Sequence, residues 1–265
     1  MTAADDNWTA GDAYESYMGR WSRPLARSFV SWLGSPPRAD WFEVGCGTGA
    51  LTSAICELAN PASVVACDPS DSFVAHARKA LGDGRVSFVV AGADNLPGGP
   101  GTVDRVASGL VLNFLPEPAR AIRLMRERLR PGGTLAAYVW NYADGIEFLR
   151  CFWDAAVELD STVAELDEGR RFSLWQPQML DSLFVGAGLR DVAVEDLEIP
   201  THFRDFEDFW TPFLRGTGPA PSYAASLSPA RQDRLRDRLA SRLKLGADGD
   251  IRLKASAWAV RGLSE

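Results

Sequence analysis

Histidine is nearly missing from this 265-residue chain: His76 and His202 are the only two. Cysteine is scarce too, limited to Cys46, Cys56, Cys67 and Cys151, with no CxxC among them. A metal site is therefore not expected, and the thiols read as reduced, three of them inside apolar segments. Basic excess is also lacking. The formal charge is -7 and the pI about 5.0, so the long-range field repels phosphate and argues against a nucleic-acid partner. No apolar run reaches the ~18 residues that a membrane span requires. The start, Met1 to Trp8, is polar and acidic and does not read as a signal peptide, so the expected location is cytoplasmic.

What is present is an ordinary globular balance of 46% hydrophobic and 24% charged residues. At this length the chain forms one large domain, or a domain with a sizeable elaboration. It needs no disulfide or metal staple. Nine tryptophans are many. Any excess over core needs suits a pocket for a flat or apolar ligand.

Tyr14 to Leu33 reads as helical, with Tyr17, Trp21, Leu25, Phe29 and Leu33 at four-residue spacing. Strands and helices then alternate. Strands are expected at 41–44, 63–67, 86–90, 103–107, 134–140, 192–197 and 251–260, and helices at 51–59, 70–81, 118–129, 146–159, 177–187 and 229–243. This alternation predicts an α/β fold: a Rossmann-like, seven-stranded, mostly parallel sheet with helices on both faces. The last strand is expected to be antiparallel, at or near the edge. The expected division is an N-terminal helical cap over 1–34, a core over 35–199, a lid-like insertion over 200–249 and the last core strand over 250–265.

Glu43-Val44-Gly45-Cys46-Gly47-Thr48-Gly49 follows a strand and opens a helix. Glycines there permit a sharp turn and close approach of backbone N–H groups to a ligand. Asp68 ends the next strand, at a distance suited to a ribose diol. Two cofactor classes fit. The relaxed dinucleotide fingerprint keeps NAD open. Glu43 argues the other way, since its carboxylate repels a pyrophosphate and tolerates an amine or a sulfonium.

The run Glu43-x-Gly45-Cys46-Gly47-Thr48-Gly49, then Asp68, Asn95-Leu96-Pro97 and Arg130-Pro131-Gly132-Gly133, resembles the class I S-adenosylmethionine-dependent methyltransferases, in the branch of the ubiquinone/menaquinone-type, small-molecule enzymes. The resemblance covers about 14–197 plus the last strand. It implies S-adenosylmethionine as cofactor. Glu43 and the backbone of Gly45, Cys46, Gly47 and Gly49 would hold its methionine part, Asp68 its ribose, and Pro69 and Ser70 its adenine. Ala93 and Asp94 stand at the third-strand exit, where Gly92 replaces the usual aspartate, so the adenine amine falls to Asp94 or to backbone. Ser108 to Phe114, with Asn113, would lie beneath the sulfonium. Tyr17 and Arg20 of the cap would bond the carboxylate, or else belong to a packed helix with Arg20 exposed.

Methyl transfer needs alignment more than a proton relay. Candidate bases are His202, Tyr142, Asp144 and Glu147, with His202 and Tyr142 put forward as catalytic and an ordinary loop histidine as the other reading of His202. Trp140 and Asn141, after the fifth strand, should face a small-molecule acceptor. Trp210 and Phe213 either roof that acceptor or dock a helix on the core. The arginines of 229–243 read as a solvated face. The expected function is methyl transfer to a small organic acceptor; an NAD-dependent oxidoreductase and a non-enzymatic cofactor-binding module are the alternatives. Oligomeric state is left open.

Overall fold

Short apolar runs rich in Val, Phe and Ala form the inner strands because those are buried on both faces, as parallel sheets require, while the edge strands stay partly exposed. In a computed structural model of the chain, which describes residues 15–215 and 218–265, the strands are β1 (Asp40–Val44), β2 (Ser63–Asp68), β3 (Val86–Val90), β4 (Val103–Gly109), β5 (Leu129–Trp140), β6 (Arg190–Phe203) and β7 (Ile251–Leu263). They form one sheet in the order β3-β2-β1-β4-β5-β7-β6. The pairs β1–β2, β2–β3, β1–β4 and β4–β5 are parallel, and β5–β7 is antiparallel. The last strand thus sits one place in from the edge, which β6 occupies.

The longer helices are α1 (Arg20–Leu33), α2 (Ala50–Leu58), α3 (Asp71–Ala80), α4 (Pro118–Glu127), α5 (Glu147–Leu159), α6 (Pro177–Gly186), α7 (Pro219–Ser226) and α8 (Pro229–Arg242). A single π-turn, Glu15–Gly19, precedes α1. Residue 14 and those before it, including the start of the expected cap, lie outside the described residues.

The chain divides into two units. A sheet unit comprises Ser22–Trp140, Leu174–Leu197 and Ala257–Glu265. An aromatic unit comprises, among the described residues, 15–21, Asn141–Ser173 and Glu198–Ser256. This division differs from the expected one. The N-terminal turn, the segment after β5 and the stretch before β7 belong to one body, and 198–203 prolong β6 rather than opening a loop.

In the sheet unit, alternation along β5 explains the two covered faces. Leu135, Ala137 and Val139 join Ile122 and Met125 of α4 and Leu180 and Phe184 of α6 in one core. Tyr138 points the other way and meets Phe29 of α1, ring centroids 4.5 Å apart. At the strands' N-terminal ends Arg130 ties three strands together, donating to Asp104 at 2.7 Å and to Asp40 at 3.1 Å. Gly133 is required beside that clamp, since a Cβ there would stand 3.0 Å from the Asp104 carbonyl oxygen.

The aromatic unit is held by stacked rings. Phe152 of α5 stacks on Phe213 at 4.5 Å and 13°, Trp153 stacks on Tyr223 at 5.9 Å, and Trp21 meets Phe203 edge-on at 5.2 Å. Such pairs add ~0.5–1.5 kcal/mol each beyond the area they bury. Helix α8 buries Leu235 and Leu239 and directs its arginines to acids: Arg236 pairs with Glu207, and Arg238 and Arg242 with Glu158. Its charged face is therefore largely neutralised within the unit. No described helix is long and apolar enough to cross a membrane.

Candidate cofactor site

The site of the sheet unit is built where β1, β2 and β4 end. Gly45, Gly47 and Gly49 have φ of 78°, 50° and 89°, the left-handed region that favours glycine. Gly45 is doubly constrained, because a Cβ would fall 2.2 Å from a Val111 methyl, whereas one at Gly47 would meet nothing within 4 Å. The loop is pinned to β2: Gly45 and Cys46 N–H donate to the Cys67 carbonyl at 2.7 and 2.9 Å. Gly47 therefore presents bare backbone to open space, and its N–H donates to Asp68 Oδ2 at 3.0 Å.

Asp68, 8% exposed, also accepts the Ser70 N–H through Oδ1 at 2.9 Å. Burial raises its carboxyl above the ordinary value, against those two backbone hydrogen bonds. Each oxygen keeps a second lone pair, the capacity a diol requires. Ser70 is occupied otherwise than expected: its Oγ caps α3, accepting the Phe73 N–H at 3.3 Å. Pro69 and Asp94 are exposed and Ala93 is half-buried.

Glu43 is 1% exposed. Its Oε2 accepts the Thr52 hydroxyl at 2.7 Å, while Oε1 is buried with no partner. Burial pushes the carboxyl up to about 7, the Thr52 hydrogen bond opposing and the Asp68 charge adding to the rise. A buried carboxyl with an unfilled oxygen suits a cationic ligand. Asn113, on the turn Leu112–Phe114, is likewise buried with both amide atoms unpartnered. Leu110, three residues before it, holds φ at 62°, a strained conformation for a residue with a Cβ and worth ~1–3 kcal/mol. Such strain clusters at ligand sites.

Two expected cofactor contacts have other work. The Ser108 hydroxyl donates to the Val44 carbonyl at 2.9 Å, so it braces the end of β1. The Cys46 thiol is buried and held neutral, first by desolvation and then by the Glu43 and Asp68 charges, so it packs rather than reacts. Trp140 is buried at the end of β5 opposite Ala257.

The remaining expected residues belong to the aromatic unit, and several need correction. Arg20 does not hold out a free guanidinium: it donates to both Asp208 oxygens, at 3.1 and 3.2 Å, and lies over the Trp21 and Phe203 rings. His202 is 58% exposed on β6 and shares Asp250 with Arg252, its Nε2 lying 3.0 Å from Asp250 Oδ2. It pins the 246–250 turn, while Tyr142 is buried against Phe172. Trp210 and Phe213 are core residues. Pro212 sits in a tight turn, Thr211–Arg215, that folds both rings inward. Tyr17 is buried with its hydroxyl unpartnered, and Asn141 with its Oδ1 unpartnered. Sequence reading missed Glu168, buried at the start of the short helix Glu168–Arg171. It stands among Glu165, Asp167, Arg170 and Arg171, and no local pattern marks Asp167 and Glu168 as the acids of that run that are buried.

Comparison with known proteins agrees with this geometry. Residues 42–137 match the family model described as a methyltransferase domain. The chain is 29% identical over 138 residues to trans-aconitate 2-methyltransferase of Deinococcus radiodurans, covering 48% of each chain. It is 29% identical over 113 residues to the ubiquinone biosynthesis O-methyltransferase of Xanthomonas campestris, covering 42% of this chain and 47% of that one. The chain thus spans about half the length of these curated relatives. Phosphoethanolamine N-methyltransferase 2 of Haemonchus contortus, solved with phosphomonomethylethanolamine and S-adenosylhomocysteine, superposes with a TM-score of 0.60 at 17% identity, over 97% of this chain and 57% of that one. Residues 42–137 are accordingly similar to a methyltransferase domain, and the seven-stranded Rossmann-like α/β fold built around them is the one that the solved methyltransferase shares.

Proposed function

We propose that the chain is an S-adenosylmethionine-dependent methyltransferase acting on a small organic acceptor. The observation that carries this is Glu43: a buried carboxyl with one unfilled oxygen, directly beside a glycine loop that exposes its backbone. A pyrophosphate cofactor would bring negative charge against the Glu43 carboxylate, so the oxidoreductase reading has no support here. An ammonium fits.

When bound, S-adenosylmethionine supplies a methyl group already activated by positive sulfur. The chain's residues then bind and orient. Glu43 Oε1 would take the ammonium, Asp68 the ribose hydroxyls, and the Asn113 amide a polar atom of the methionine part. The fixed loop holds these groups without reorganisation, so the contribution is proximity and alignment. The small-molecule acceptor and the cytoplasmic setting without a nucleic-acid partner are part of the proposal, supported by the acidic balance and by the relatives' printed substrates.

Calorimetry with S-adenosylhomocysteine and with NAD tests the reading. Binding of the first and none of the second is expected, with release of S-adenosylhomocysteine once an acceptor is supplied. Tighter binding of NAD refutes it.

A further inference from the structure

Helix α2 buries an apolar face made of Leu51, Ala54, Ile55 and Cys56. Thr52 breaks that pattern. It is fully buried, and its hydroxyl donates to Glu43 Oε2 at 2.7 Å. A buried hydroxyl costs free energy unless it is bonded, and valine would fill the same shape without that cost. Packing alone therefore does not account for a threonine at this place.

The surroundings of Glu43 show what the hydroxyl does. In register on β1, Glu43 lies between Ala66 of β2 and Ala107 of β4, both fully buried. Neither of those side chains can donate a hydrogen bond. Asp68, at the end of β2, is an acceptor as well, and its own oxygens are held by the Gly47 and Ser70 N–H groups. A donor for Glu43 comes instead from the helix that follows the glycine loop.

Thr52 is the third residue of α2, so its N–H is among those that find no partner inside the helix. Gly49, at the N-cap, has no side chain to cap them. The N–H and the hydroxyl of Thr52 both favour the charged form of Glu43, as the start of a helix favours negative charge in general. Branching at Cβ leaves threonine few side-chain rotamers in a helix, so the donor is itself fixed. With Oε2 held in this way, Oε1 is the oxygen left buried and unpartnered.

We propose that Thr52 is a positioning residue: by holding Glu43 Oε2 it aims Oε1 at the ammonium group of the cofactor, and so sets the preference of the site for ligands that carry an amino-acid part. This rests on the cofactor reading above. Thr52 itself makes no contact with the ligand and acts through Glu43.

The test is calorimetry on the full chain with S-adenosylhomocysteine and with methylthioadenosine, which keeps the adenine, ribose and thioether and lacks the amino-acid part. The ratio of the two affinities is the readout, because a loss of folded protein lowers both by the same factor. Thr52→Val should weaken S-adenosylhomocysteine by about tenfold or more, the scale of a hydrogen bond to a charged group, and leave methylthioadenosine unchanged. Thr52→Ser, which keeps the donor, should recover most of the ratio. In the Glu43→Gln background, Thr52→Val should change S-adenosylhomocysteine affinity by less than about twofold, since the carboxylate it acts through is gone. Should Thr52→Val not fold, Thr52→Ala is read by the same ratio. An unchanged ratio in Thr52→Val, no recovery in Thr52→Ser, or a full loss from Thr52→Val in the Glu43→Gln background would each overturn the proposal and leave the cofactor reading intact. Failure of the unaltered chain to bind S-adenosylhomocysteine would refute the cofactor reading and this proposal with it.

Discussion

Glu43 gives one oxygen to the Thr52 hydroxyl at 2.7 Å and keeps the other buried and unpartnered. A carboxyl in that position is stable when neutral and ready to ionise when a cation arrives. With its folded value raised to about 7, an arriving ammonium pulls that value down. Between the ordinary carboxyl range and pH 7, binding therefore expels a proton, and affinity rises with pH until about 7. Calorimetry of S-adenosylhomocysteine at pH 6 in buffers of different ionisation enthalpy should detect proton release. At pH 8.5 the release should vanish, and in Glu43→Gln it should be absent at both pH values.

Glu43 and Glu168 also make stability depend on pH in one direction. Both folded values, about 7, lie above those of the unfolded chain. Groups raised in this way contribute most stability below their unfolded values and lose it as pH rises through 7. The unliganded chain should therefore melt at a higher temperature at pH 6 than at pH 8. A double variant, Glu43→Gln with Glu168→Gln, should flatten that difference. An equal difference in the double variant would assign it to other groups.

Asp68 has two tasks, and Asp68→Ala should reveal both. Loss of the diol acceptor should weaken S-adenosylhomocysteine by about 1.5–3 kcal/mol, the range for hydrogen bonds to a charged group. Loss of the Gly47 and Ser70 N–H bonds should also lower the melting temperature without ligand, because two backbone donors are left in a largely buried place. Asp68→Asn, which keeps an acceptor, should recover part of the stability. A full-strength cofactor complex in Asp68→Ala would mean the ribose is held elsewhere.

Phe213 and His202 should separate cleanly. Phe213→Ala removes a fully buried ring stacked on Phe152 and should cost about 3–5 kcal/mol by denaturant unfolding. His202→Ala removes an exposed partner of Asp250, which Arg252 still satisfies, and should shift stability little and turnover not at all. A pH-dependent loss of turnover in His202→Ala would restore it as a base.

Gly45→Ala tests the loop. The added methyl meets Val111 at 2.2 Å in a backbone conformation that alanine rarely adopts. Stability of the unliganded chain should fall severely, whereas Gly47→Ala, with free space around its Cβ, should show only the backbone cost, ~1–2 kcal/mol, in unliganded melting. Equal losses in the two variants would argue that the φ values alone set the loop.

Much of this protein can be read from local pattern. Alternating apolar runs and helix periods mark five of the strands to within three residues, whereas β5 starts five residues earlier and β6 ends six residues later than the pattern indicates. Gly45, Gly47 and Gly49 announce the loop, because a positive φ is a property of the residue itself. Glu43 and Asp68 follow from their places at strand ends, which parallel pairing puts side by side. Other facts needed the tertiary structure. That Arg20 pairs with Asp208, 188 positions along the chain, is not written in the neighbours of either residue. That Trp210 and Phe213 are core, His202 surface and Asp167 and Glu168 the buried acids of their run depends on which distant side chains close over each. Conformational preference is local and shows in the sequence, whereas burial and pairing are decided by long-range packing, so the fold and the cofactor loop were legible and the buried polar groups of the aromatic unit were not.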